Sequence, residues 1–233
     1  MQRWAFSLKH LLNLFLEFNC PLCQRPTPQE FCQDCTRQLE SCQIYQFNWI
    51  RKGSLPVFAW GMYGGTLKRA ISALKYQNQP QLARPLGYLL AQAWLNSQIA
   101  PKTPIVVPIP LHANKQKQRG YNQAALLAQS FCDVTGLQLQ QLGLERSRET
   151  QSQFGLSSLE REKNLETAFQ LGLGFRQQYP ASPVLLLDDI FTTGATAKSA
   201  MQTLSQAGIQ VYGLAALATT LRNRVDAIDR RCL

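Results

Sequence analysis

The apolar residues of this chain change their spacing from segment to segment, and each change marks an element. Trp4, Leu8, Leu11, Leu12, Phe15 and Phe18 recur at helical spacing, which predicts an amphipathic helix packed on the body. Tyr45 to Trp60 keeps no period, and Gly53 and Pro56 mark turns, so this stretch reads as irregular. Leu67, Ile71 and Leu74 then form a stripe at 3–4 spacing that Lys75 ends, on a basic helix after Tyr63-Gly64-Gly65. A second helix is expected over Leu82 to Ser97, and Pro101 to Pro104 breaks the chain. Ile105-Val106-Val107-Pro108-Ile109 reads as the first core strand, followed by a helix over Ala124 to Asp133 with Asn122 as its cap. Val184-Leu185-Leu186-Leu187 is apolar without alternation, as expected of a parallel strand covered on both faces. The last expected helix runs from about Ala197 to Gln206, with Gly208 placed to stop it.

The 233 residues suffice for one core of average size plus a small appendage. No apolar run reaches the roughly 18 residues of a membrane span. Arg3 and Lys9 ahead of Leu11-Leu12-Asn13-Leu14-Phe15-Leu16 suggest a signal peptide at first sight. The small-residue cleavage site is missing, however, and Asn13 and Glu17 interrupt the apolar stretch. The expectation is a cytoplasmic protein, with a helix lying on the inner face of the membrane as the alternative use of that segment.

Charge sharpens the picture. The net charge is +10, and between Ser41 and Cys132 there is no Asp or Glu. That block holds Arg51, Lys52, Lys68, Arg69, Lys75, Arg84, Lys102, Lys115, Lys117 and Arg119, which account for the whole excess. A surface of one sign attracts polyphosphate or nucleic acid; the competing reading is that a basic chain is simply more soluble. Trp49, Phe58, Trp60, Tyr63, Tyr76 and Trp94 lie in the same block. Cations interleaved with aromatics are the ingredients of single-stranded DNA binding, although any single aromatic fits a core equally well.

Two Cys-x-x-Cys pairs, Cys20/Cys23 and Cys32/Cys35, are separated by eight residues. Each pair wraps two thiolates around one tetrahedral ion, and the second completes the shell. In a cytosolic chain disulfides are disfavoured, so a closed structural Zn2+ site is expected. Cys42, Cys132 and Cys232 read as spare thiols.

The densest chemistry follows the strand at Val184. Asp188 and Asp189 fall at its C-terminal end, where open α/β sheets bind ligands. Thr192-Thr193-Gly194-Ala195-Thr196 then turns into a helix. Small hydroxyl residues at a helix N-terminus offer free N–H groups and the positive dipole end to a phosphate. The acid pair is placed for the vicinal hydroxyls of a ribose beside that phosphate. Together these groups describe a ribose 5-phosphate site; the plain alternative is a strand-to-helix turn with a capping Thr.

That order of strand, acid pair, Thr/Gly loop and helix resembles the phosphoribosyl-pyrophosphate (PRPP) motif of the type I phosphoribosyltransferases. The resemblance implies an α/β fold of about five parallel strands flanked by helices. It also implies Asp188 and Asp189 on the ribose hydroxyls and Thr192 to Thr196 around the 5-phosphate. The basic segment from His112 to Arg119 then leaves a strand end beside the phosphate loop, where Lys115, Lys117 and Arg119 would neutralise a pyrophosphate or DNA phosphate; a solvated basic loop is the equal alternative. His112 reads as structural. With such a fold, the polar stretch from Leu144 to Phe169 is the place for a mobile arm, with Arg146, Arg148, Arg161 and Lys163 as closing charges. Neighbouring glutamates would otherwise pair with them on an exposed helix.

The paired Cys-x-x-Cys, Val107-Pro108-Ile109-Pro110-Leu111-His112 running to Arg119-Gly120-Tyr121-Asn122-Gln123, Arg-x-x-Asn-Leu and the acid-pair motif stand in one order. Over nearly the whole chain this resembles the ComF family of competence proteins. The chain then divides into three expected parts: an amphipathic helix with a four-cysteine zinc finger over 1–45, a connecting basic helical region over 46–100, and a phosphoribosyltransferase-like domain over 101–233. The resemblance implies a role in natural transformation, helping single-stranded DNA reach the cytoplasm beside a DNA-uptake helicase and single-strand handling proteins. The alternative is an active PRPP-dependent phosphoribosyltransferase using Mg2+ with PRPP, for which no acceptor pocket is legible.

Overall fold

The structure is a computed structural model that describes residues 18–44, 49–52, 55–97, 103–147 and 168–221. The expected N-terminal helix, Arg148, Arg161, Lys163 and Cys232 lie outside the described residues. In chain order, β1 (Phe18–Asn19), β2 (Pro26–Thr27) and α1 (Gln33–Glu40) form the cysteine module. The chain continues through β3 (Trp49–Lys52), β4 (Leu55–Met62), α2 (Gly65–Tyr76) and α3 (Ala83–Asn96). Then come β5 (Ile105–Pro108), α4 (Ala113–Arg119), α5 (Gln123–Thr135), β6 (Leu144–Arg146), β7 (Phe169–Leu171) and α6 (Leu173–Gln177). Finally β8 (Val184–Phe191), α7 (Ala195–Gln206) and β9 (Val211–Thr219) complete it.

The main sheet has the order β3-β4-β9-β8-β5. Four neighbours run parallel, while β3 pairs antiparallel with β4. This differs from about five parallel strands, and connection length explains it. Only two residues separate Lys52 from Leu55, enough for a hairpin but not for a crossover. The reading of Tyr45 to Trp60 as irregular is likewise corrected. β4 sits inside the sheet and is buried on both faces, so its apolar residues show no alternation to find. The sheet therefore takes strands from both sides of the boundary at residue 100.

Alternate residues of each strand feed two apolar clusters. Phe58, Trp60, Val106, Leu185, Leu187 and Leu217 meet α2, α3 and α5 on one face. Val57, Val107, Leu186, Leu214 and Ala216 meet α7 and Phe175 on the other. Covering both faces is what makes the Val184–Leu187 run uniformly apolar. Cys20, Phe31, Cys35 and Leu39 join the first cluster beside Leu82 and Leu86, so the cysteine module shares the main core. Phe58, Trp60 and Trp94 are core residues too. Among the described residues no helix is long and apolar enough to cross a membrane.

Candidate functional site

β5, β8 and β9 run parallel, so their carboxyl ends open on one edge. Asp188 and Asp189 lie there on β8. Strand alternation sends neighbouring side chains to opposite faces, and here it leaves Asp188 half-buried and Asp189 buried. The Asp189 N–H donates to Asp188 Oδ1 at 2.8 Å. Burial pushes the Asp188 carboxyl well above the usual carboxylate range, and the adjacent Asp189 charge adds to that.

Thr192 and Thr193 follow as exposed residues, and Gly194 caps α7 in the left-handed region at φ 82°. A side chain there would be strained, so the turn that aims the helix N-terminus requires glycine. The Ala195 N–H meets Thr193 Oγ1 at 3.4 Å. With Gly194, Ala195 and Thr196 half-exposed, the first turn of α7 presents its N–H groups toward solvent beside the acid pair.

The basic segment after β5 is a short helix where a loop was expected. His112 caps it, its Nδ1 accepting from the Asn114 N–H at 3.3 Å, which gives this histidine a structural role. Lys115 and Lys117 are exposed. Arg119 instead lies over the Tyr76 ring, 5.5 Å from its centroid, and donates to Gln123. The Ile109 N–H donates to the Leu187 carbonyl at 2.8 Å, and Asn122 Nδ2 donates to the Ile109 carbonyl at 3.0 Å. These bonds anchor the basic helix beside the strand that ends in the acid pair.

Of the arm candidates, only Arg146 lies within the described residues. It ends β6 over the Phe169 ring, 5.4 Å from the centroid. Burial lowers its pKa, and the Asp188 charge opposes that shift. Sequence reasoning counted Lys75 in the basic block but gave it no place at the site. Its Nζ sits 2.6 Å from Asp189 Oδ2 at the end of α2. The signal was available: Lys75 follows Leu74 directly, at the end of a stripe that must face the core. Tyr121 fixes the same turn, its hydroxyl donating to the Leu74 carbonyl at 2.5 Å.

The four cysteines are brought together. Sγ atoms of Cys20, Cys23, Cys32 and Cys35 lie within 4.8 Å of one another, and Cys23 and Cys32 are 3.5 Å apart. A tetrahedron of Zn–S bonds of about 2.3 Å has edges of about 3.8 Å, so this donor set fits zinc. The Cys20–Gln24 turn closes on the Cys20 carbonyl, which accepts from the Gln24 N–H at 2.7 Å. Hydrogen bonding to the Arg25 backbone and side chain draws the Cys23 thiol down to about 6, while burial pushes Cys35 up. Cys42 is buried against the same core; Cys132 is free and buried.

No family model matches the chain. Competence protein F of Haemophilus influenzae is 30% identical over 210 residues, covering 84% of this chain and 89% of that protein. DNA utilization protein YhgH of Escherichia coli K12 is 28% identical over 162 residues, covering 68% and 70%. Competence protein ComFC of Bacillus subtilis is 26% identical over 213 residues, covering 89% and 80%. Among solved structures, adenine phosphoribosyltransferase of Leishmania donovani covers 79% of this chain and 67% of its own, at 14% identity and a TM-score of 0.37. The Trypanosoma brucei enzyme, solved with AMP, pyrophosphate and ribose-5-phosphate, covers 83% and 71%, at 11% identity and a TM-score of 0.39. Identity and coverage against the Haemophilus protein settle the kinship: this chain belongs to the competence protein F family.

Proposed function

We propose that this chain handles single-stranded DNA in the cytoplasm during natural transformation and carries a site for a 5-phosphorylated ribose. The observation behind the ligand class is the acid pair at the end of β8 beside the open N-terminus of α7. On this reading the 5-phosphate of PRPP, or of a related phosphoribosyl ligand, takes the N–H groups of Thr192 to Thr196. Asp188 and Asp189 accept from the sugar hydroxyls, and Lys115 and Lys117 meet a pyrophosphate or a DNA phosphate. Arg146, with Arg148 and Arg161 from the arm, supplies positive charge as the site closes. The relatives' names, competence protein and DNA utilization protein, support the DNA role. The DNA-uptake helicase and single-strand handling proteins at the inner face of the membrane are then its working partners.

Cys20, Cys23, Cys32 and Cys35 would hold Zn2+, which would supply folding free energy and no open position for catalysis. An active phosphoribosyltransferase is the second reading, favoured by the half-buried Asp188 beside an open phosphate loop. The Asp188 carboxylate and the ligand's own phosphates fit Mg2+, which would neutralise the departing pyrophosphate.

Fluorescence anisotropy of labelled single-stranded DNA with the zinc-loaded protein, repeated with Mg2+ and PRPP as competitor, tests the proposal. Binding is expected to weaken with salt at a slope of roughly −0.7 per neutralised phosphate. The Asp188→Asn/Asp189→Asn protein is expected to stay folded, lose PRPP binding and retain DNA binding on the basic block. An unchanged PRPP titration on that variant would remove the ribose assignment, and no DNA binding at low salt would leave the transferase reading.

A further inference from the structure

Lys75 has no role in the ligand contacts above, yet its ammonium contacts the acid pair. Nζ lies 2.6 Å from Asp189 Oδ2, with 17% and 4% of the two side chains exposed. Withdrawing two ions from water is costly, and their attraction offsets the cost only in good geometry. Burial works to lower the Lys75 pKa, but the charges of Asp189 and Asp188 and the bond to Asp189 outweigh it, so the ammonium is kept. Helix α2 needs no cation there for packing, because Leu67, Ala70, Ile71 and Leu74 already bury its inner face. The Lys75–Asp189 pair is thus a buried contact between α2 and the end of β8.

Adjacent carboxylates commonly recruit a divalent ion, which takes their oxygens as ligands. Here Asp189 Oδ2 is already engaged by nitrogen. We infer that Lys75 is a built-in substitute for a divalent cation at Asp189. It neutralises and positions that carboxylate, leaves Asp188 to accept from a sugar hydroxyl, and makes binding of a ribose 5-phosphate independent of added metal. The inference rests on the phosphoribosyl reading of the site. Any magnesium then arrives on the pyrophosphate of the ligand and is not recruited beforehand by the acid pair. Lys75 is a positioning residue, acting through Asp189.

Mn2+ titrated into the zinc-loaded, ligand-free protein and followed by electron paramagnetic resonance tests this directly. The wild type is expected to show no bound fraction that Asp189→Asn removes. Lys75→Met is expected to gain one such site, which a second substitution, Asp189→Asn, abolishes, while Lys75→Arg behaves as wild type. A wild-type Mn2+ site lost in Asp189→Asn overturns the inference, and that arm needs no Lys75 variant to fold. A folded Lys75→Met protein that gains no site overturns it as well. Calorimetry with ribose 5-phosphate in chelating-resin-treated buffer, with and without Mg2+, is expected to give equal affinities for wild type. A tenfold gain with Mg2+ overturns the inference. Failure of the wild type to bind ribose 5-phosphate in either buffer instead overturns the phosphoribosyl reading, and the Mn2+ titration still decides the role of Lys75.

Discussion

Asp188 carries a proton in the folded protein at pH values where an unfolded chain has lost it, because burial and Asp189 disfavour its charge. Unfolding between the ordinary carboxylate pKa and the raised folded one therefore releases a proton, and stability falls as pH rises through that window. Above the folded pKa the cost is fully present. Asp188→Asn removes this contribution, so its melting temperature relative to wild type is expected to rise as the pH climbs from about 4, the ordinary carboxylate pKa, through the raised folded one. A difference independent of pH would show that Asp188 titrates normally. At this scale the sequence was eloquent about one strand end and silent about its surroundings. Asp188, Asp189 and the Thr/Gly loop are adjacent in the chain, so their chemistry is local and legible. Lys75 lies more than a hundred residues away, and only the packing of α2 shows that its ammonium reaches Asp189.

Helices announced themselves by period: α3, α5 and α7 fall within two residues of the expected spans, and α2 carries the expected stripe. Strand β4 did not, since burial on both faces erases alternation and Pro56 resembles a turn residue. Gly61 has a specific reason to be glycine. A Cβ there would stand 2.7 Å from the Cys42 carbonyl oxygen, which accepts from the Met62 N–H at 2.8 Å. Gly61→Ala must push the 42–44 segment off the strand. Overpacking of this kind costs about 1–3 kcal/mol, so thermal denaturation is expected several degrees lower. An unchanged melting temperature would mean that the segment yields freely.

Across the molecule, the acid-free block turns out to serve several purposes. Lys75 is consumed by Asp189, Arg119 stacks on Tyr76, and Phe58, Trp60 and Trp94 are core. Lys115 and Lys117 stay exposed, and Tyr76 is 76% exposed, leaving a basic face with an aromatic at its rim. Helix α2 links this face to the cysteine module. Near its start, Thr66 and Arg69 donate to Gln38 Oε1 of α1 at 2.8 and 2.9 Å; at its end, Lys75 meets Asp189. Twelve residues span about 18 Å, so α2 is a rod pinned at both ends. Removing zinc with a chelator is expected to unfold the 18–40 module, free one pin, and weaken ribose 5-phosphate binding measured by calorimetry. Affinity unchanged after verified zinc loss would show that the rod transmits nothing. Linkage is reciprocal, so ligand must in turn raise the equilibrium affinity for zinc, measured in competition with a chelator. On the proposed reading of the site, a cell short of zinc would then lose phosphoribosyl recognition before it lost the protein, and the cysteine module would act as a gauge of metal supply.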